Sequence, residues 1–109
     1  MTTIAIDQKY IDVLTSFGDA NEMIEEVVRR YTLKRIRERI SFLQSEIAAF
    51  EAKYGLPYEG FLERIGTDEA FSAHIHKMHP TWVLDLNRWE FDVYDLPLWL
   101  GRLKSISNS

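Results

Sequence analysis

Three histidines in the run "HIHKMH", His74, His76 and His79, are residues whose type and spacing could do chemistry. Imidazoles so close together suggest metal ligation, but His74 and His76 fall on different faces of a helix. No cysteine or carboxylate motif joins them, so no metal site is assigned. The serines stand in no nucleophile elbow, and no glycine-rich loop could cradle a phosphate. Asp92 and Asp95 are paired carboxylates outside any acid-pair motif, which suits a solvated or partner-facing role better than catalysis. The chain has no cysteine, so a disulfide framework, a thiolate nucleophile and a thiolate-bound metal are all excluded. The expectation is a protein that is not an enzyme and carries no cofactor.

Charge is the next candidate for function. Arg29, Arg30, Lys34, Arg35, Arg37 and Arg39 place six cations in eleven residues. They could contact nucleic-acid phosphate, or form a solvated helix face partly compensated by Glu26 with Arg30 and Lys34 with Glu38 at i,i+4 spacing. The formal net charge of −4 argues against a general nucleic-acid coat. Residues 56–109 hold five Lys plus Arg against eight Asp plus Glu, whereas residues 1–55 hold eight against nine, so the C-terminal part is the more acidic. At 109 residues, 46% of them hydrophobic, the chain suits one globular unit or two very small modules. No apolar run reaches the roughly 20 residues needed to span a bilayer, and the start "MTTIAIDQKY" lacks the flank and core of a signal peptide. A cytoplasmic setting is expected.

The elements that must position these residues are mainly helical. Alternation around Ile4 and Ile6 predicts a short strand over residues 2–6. Asp7 then caps a helix over 8–17, with Tyr10, Val13 or Leu14, and Phe17 at helical spacing and Gly18 as its stop. Asp19 and Glu22 form a variant capping box that opens a long helix. Without proline or internal glycine this helix continues to Gly55, a rise on the order of 50 Å at ~1.5 Å per residue. Its first apolar set is Met23, Ile24, Val27, Val28 and Tyr31. A heptad seam follows at Leu33, Ile36, Ile40, Leu43, Ile47, Phe50 and Tyr54, which could pair with its own copy or fold back on later helices. Beyond Pro57 the elements shorten: "PYEGFLERIG" predicts a helix with Tyr58, Phe61, Leu62 and Ile65 on its apolar side, and "TDEAFSAHIHKM" predicts another capped by Thr67 or Asp68. The segment from Thr81 carries Trp82, Trp89 and Trp99 interleaved with Asp85, Glu90, Asp92 and Asp95. It reads as helical, with Pro97 kinking it or opening a second helix.

A strand, a short helix, a glycine turn and a second helix beginning near "ANEMIEEVVRRY" resemble the ribbon-helix-helix family over roughly the first 35 residues. The resemblance implies a homodimer with paired N-terminal strands, in which Ile4, Ile6, Leu14, Ile24, Val28 and Tyr31 occupy strand and core positions along with Phe17. Pairing also satisfies the free amides and carbonyls of a lone edge strand. Family members read the major groove from outward strand side chains, here Thr3, Ala5 and Asp7, which include no arginine or lysine for bidentate guanine contact. The candidate nucleic-acid contacts are accordingly Thr3 together with Arg29, Arg30, Lys34, Arg35 and Arg37.

"FEAKYGLPYEGFLERIG", then "RWEFD" and a closing "WLGRLKSI", resemble the C-terminal region of small type II antitoxins, among them those paired with TumE-type toxins. The resemblance spans about residues 47–106 and implies toxin binding without catalysis. An acidic, aromatic-rich segment suits a basic toxin site, and the candidate partner-binding residues are Phe50, Tyr54, Phe61, Trp82, Trp89, Glu90, Asp92 and Trp99. An ordinary small core is the other reading of the tryptophans. The expected organisation is a dimerisation module over 1–35, a continuation of the long helix over 36–55 and a helical partner-binding region over 56–109. Two functions stay open: an antitoxin that neutralises a cognate toxin and autoregulates its operon, and a DNA-binding regulator with a C-terminal oligomerisation or sensor region.

Overall fold

The computed structural model describes residues 4–108, which form five helices: α1 (Gln8–Thr15), α2 (Ala20–Tyr54), α3 (Tyr58–Thr67), α4 (Glu69–Met78) and α5 (Trp82–Ser107). No strand occurs among the described residues. Of the strand predicted over 2–6, Thr2 and Thr3 lie outside the described residues, and Ile4–Ile6 are coil. A strand needs a ladder partner, and the described residues of this single chain supply none.

The helix ends follow local chemistry. The Asp7 side chain accepts from the Lys9 amide at 3.0 Å, and Asp19 Oδ1 accepts from the amides of Asn21 at 2.9 Å and Glu22 at 3.3 Å. Helix α1 stops two residues earlier than predicted, its Ser16 and Phe17 amides closing onto Val13 and Leu14 in a tight last turn. Gly55 ends α2 at φ +75°, in the left-handed region that a side chain disfavours. Asp68 serves twice, closing α3 through its amide and capping α4 by accepting from the Phe71 amide at 3.0 Å. Helix α5 runs through Pro97 without a break, so the carbonyl of Val93 receives no amide from that position. No helix among the described residues is long and apolar enough to cross a membrane.

The chain divides into two compact units, Met1–Arg35 and Ile36–Ser109, with the boundary inside α2. In the first unit, α1 buries no residue, and Leu33 is buried within the α2 portion. Ile4, Tyr10, Val13, Phe17, Val27, Val28 and Tyr31 are all exposed, Phe17 at 75%. In the second unit, the rest of α2 lies antiparallel to α5. Arg39 pairs with Asp95, Glu46 with Arg88, and Lys53 with Asp85, so the partner number falls as the α2 number rises. Ile36, Ile40 and Leu43 are buried on this stretch of α2, Leu43 completely. The seam from Ile36 onward therefore folds back on a helix of the same chain. Tyr58 and Phe61 of α3 and Ile75 of α4 complete the core at the Tyr54 end.

Candidate functional site

Trp89 is the centre of the second unit. It is fully buried, with ring centroids of Phe50 at 5.7 Å, Tyr54 at 5.8 Å, Tyr58 at 5.5 Å and Phe61 at 5.5 Å. Offset and edge-on ring pairs of this kind add ~0.5–1.5 kcal/mol each beyond the area they bury. Trp82 packs against the same cluster and meets Phe61 at 6.2 Å. Of the eight residues expected to bind a partner, Tyr54, Phe61, Trp89 and Asp92 are thus core residues. In this fold Phe61, Trp89 and Asp92 have no accessible surface and Tyr54 very little, so these side chains face the interior of the unit. Phe50, Trp82 and Trp99 are half-buried, and Glu90 is exposed. Trp99 donates through Nε1 to Asp95 at 3.0 Å and carries the Arg102 guanidinium 4.4 Å above its ring.

Asp92 is the buried charge of this core. Both its oxygens are inaccessible, and with every carboxyl ionised neither has a hydrogen-bond donor. The Arg88 Nε atom lies 3.7 Å from Asp92 Oδ1 while its hydrogen bond goes to Glu46. Burial pushes the Asp92 pKa up to about 7, reinforced by hydrogen bonding to and repulsion from Glu46, against the pull of Arg88 and Arg39. A proton held on Asp92 turns that carboxyl into a donor to Glu46. The same bond, followed by that from Arg88, holds Glu46 below its usual value. One proton and one guanidinium therefore reconcile two carboxyls across the α2–α5 seam.

At the other end of the seam, Asp85 Oδ2 accepts from Lys53 Nζ and from the Tyr54 hydroxyl, each at 2.6 Å. Burial pushes Asp85 upward, but these two bonds outweigh it and its pKa stays lowered. Tyr54 moves the opposite way, its phenol raised by burial first and then by the bond to Asp85.

His76 and His79 pack against aromatic rings, and His74 is exposed. His76 Nδ1 donates to the Ser72 carbonyl at 2.7 Å and the ring stands edge-on to Trp82, while His79 stands edge-on to Tyr54. Among the described residues, no group of three potential ligands converges on a metal position.

The expected dimerisation and nucleic-acid residues fall in the first unit, apart from Arg37. Ile4, Ile6, Val28 and Tyr31 are exposed, and Leu14 and Ile24 are half-buried. Arg30 is held by Glu26 at 2.8 Å, Arg29 is half-buried, and Lys34 and Arg35 are exposed along α2. Arg37 is exposed in the second unit, and Thr3 lies outside the described residues.

A second surface was not anticipated. Phe91, Tyr94 and Leu98 are exposed on α5, where with Asn87, Glu90 and Asp95 they line an open groove of about 420 Å³. Its sequence signal is the seven-residue repeat Leu84, Phe91 and Leu98, offset from the inward stripe of buried Trp89 and half-buried Leu86 and Val93. Comparison with family models, curated proteins and solved structures found no match.

Proposed function

We propose that the chain is an interaction protein of antitoxin type, self-associating through Met1–Arg35 and neutralising a toxin with its C-terminal helices. The observation that carries this reading is apolar surface without a cover. The first unit exposes Ile4, Tyr10, Val13, Phe17, Val27, Val28 and Tyr31, and the second exposes Leu84, Phe91, Tyr94 and Leu98 on one helix. Soluble chains seldom leave contiguous apolar patches open unless another surface meets them. The resemblances of residues 1–35 to ribbon-helix-helix dimers and of 47–106 to antitoxin C-terminal regions give those partners a kind: a second copy for the first, a toxin for the second.

Co-expression with the product of a neighbouring reading frame that encodes a small basic protein tests the reading. Rescue of growth and co-purification of the two chains are expected. Growth arrest despite full expression of this chain would overturn the antitoxin reading. Salt-dependent binding to its own promoter without any toxin partner would favour a DNA-binding regulator instead, with Arg29, Arg30, Lys34, Arg35 and Arg37 as the phosphate contacts.

A further inference from the structure

Arg88 stands between two carboxyls, one on each helix of the α2–α5 seam. Its Nε donates to Glu46 on the facing helix, and the same nitrogen lies 3.7 Å from Asp92 Oδ1, one turn along its own helix. The guanidinium carbon is 5.7 Å from the ring centroids of both Phe42 and Phe91, so an aromatic ring of each helix flanks the cation. The charged groups that act on Asp92 are Glu46 and Arg39 from α2 and Arg88 from α5. Arg39 is tied through Nη2 to Asp95 at 3.3 Å, and its Nε is enclosed without an acceptor. From α3, Tyr58 packs on Trp89 and Tyr94 with its phenol raised, so it brings no charge. Access to water separates the two carboxyls: side-chain exposure is 0% for Asp92 and 23% for Glu46.

We propose that Arg88 is a proton-controlled clasp between α2 and α5: with a proton on Asp92 it ties α5 to Glu46, and without that proton it turns to Asp92 on its own helix and releases Glu46 to solvent. While Asp92 is protonated it is neutral and donates to Glu46, whose remaining charge Arg88 meets. Once the proton passes to water, two carboxylates compete for one guanidinium and repel each other. A buried carboxylate without a donor is costly, whereas a partly exposed one is hydrated, so the cation goes to Asp92. The middle one of three cross-helix pairs then opens, while Arg39 with Asp95 and Lys53 with Asp85 stay closed on either side. Burial of the Asp92 carboxyl sets the midpoint at about 7. The clasp is independent of what the chain binds, so the antitoxin reading can fail without touching it.

The test follows the arginine Nε and Cζ resonances of the full chain, isotope-labelled, from pH 5 to pH 9, together with the carboxyl carbons of Asp92 and Glu46. The Arg88 resonances are expected to move with the same midpoint as the Asp92 carboxyl, and those of Arg39 to stay in place. Asp92→Asn, which keeps a donor to Glu46, is expected to hold Arg88 in its low-pH position throughout. Glu46→Gln removes the competing charge at a half-buried position, so it is expected to move the Asp92 titration to lower pH. In double-mutant cycles on urea unfolding, the coupling of Arg88 to Glu46 is expected to be about fivefold in the folding constant at pH 5 and to vanish at pH 9. Arg88 resonances that stay still in the wild type, that move equally in Asp92→Asn, or that are replaced by a shift of Arg39 would overturn the proposal. So would a coupling to Glu46 that is the same at both pH values, or an Asp92 titration unmoved by Glu46→Gln.

Discussion

Asp92 shows how one buried carboxyl makes a whole packing arrangement depend on pH. Its folded pKa of about 7 lies well above the ordinary carboxylate value. Between about pH 4 and 7 the folded chain holds a proton that the unfolded chain has released, so stability is fully present below that window and is lost as pH rises through 7. Glu46 works in the other direction, its lowered pKa contributing stability that disappears on acidification below its usual range. Urea unfolding of the wild type should therefore show lower stability at pH 8 than at pH 5. Asp92→Asn supplies a permanent amide donor to Glu46, so it should flatten that difference and raise stability at pH 8 by about 1–3 kcal/mol, the scale of an unsatisfied buried polar group. A variant that keeps the full pH dependence would show that the proton resides elsewhere. Trp89→Ala should lower stability by about 3–5 kcal/mol through the cavity left among Phe50, Tyr54, Tyr58 and Phe61, read by the urea midpoint. Loss of partner binding with an unchanged midpoint would mean that the ring is not core.

At the scale of elements, α2 and α5 are held by a seam whose apolar centre is flanked by ion pairs. The pairs are partly exposed and individually worth little, roughly 0–1 kcal/mol, so the buried seam residues supply the stability and the pairs choose the register. Arg39, Glu46 and Lys53 recur every seven residues on α2, alternating in sign, and meet Asp95, Arg88 and Asp85 of opposite sign across the antiparallel seam. Two backbone positions test how the helices end and continue. Gly55→Ala should cost about 1–2 kcal/mol because a Cβ at φ +75° is strained even though nothing lies within 4 Å of it. Pro97→Ala should stabilise α5 by up to about 3 kcal/mol, since it returns an amide to the Val93 carbonyl at an exposed position. Thermal melts followed by circular dichroism measure both. A lower melting temperature for Pro97→Ala would indicate that the fold relies on the proline at this position.

On the scale of the whole molecule, the two units differ in how they satisfy their apolar residues. The second encloses Leu43, Phe61 and Trp89 completely, whereas the first leaves Phe17, Val28 and Tyr31 exposed. Sedimentation of the full chain at micromolar concentration should show a dimer, and Phe17→Ser with Val28→Ser should shift it to monomer without changing the Trp89 environment seen by fluorescence. A wild-type monomer would remove self-association from the proposed function. The antitoxin reading places the partner surface on eight residues that include all three tryptophans. With Trp89 enclosed, the exposed Phe91, Tyr94 and Leu98 become the surface to mutate when binding is measured.

Helix type and helix ends were legible in the sequence because both are set by neighbours along the chain. Asp7, Asp19 and Asp68 cap through their own side chains, Gly55 stops α2 by its own conformational freedom, and the three- and four-residue steps of Ile36, Ile40 and Leu43 mark a buried stripe. Of the strand expected over residues 2–6, the described residues Ile4–Ile6 are coil in the single chain, and such a strand depends on a second strand for its ladder. What covers the α2 seam was open from spacing alone, since a heptad stripe fits its own copy and a folded-back helix equally well. Tertiary structure decided for α5, and with that choice it divided the aromatics of one helix between core and surface. Trp89 and Phe91 are two residues apart in sequence, yet a helix turns ~100° per residue and sends them to different sides, one enclosed by four rings and the other exposed. The Glu46–Asp92 proton and the Arg88 bond between them exist only because residues 46 apart in the chain are brought across the same seam.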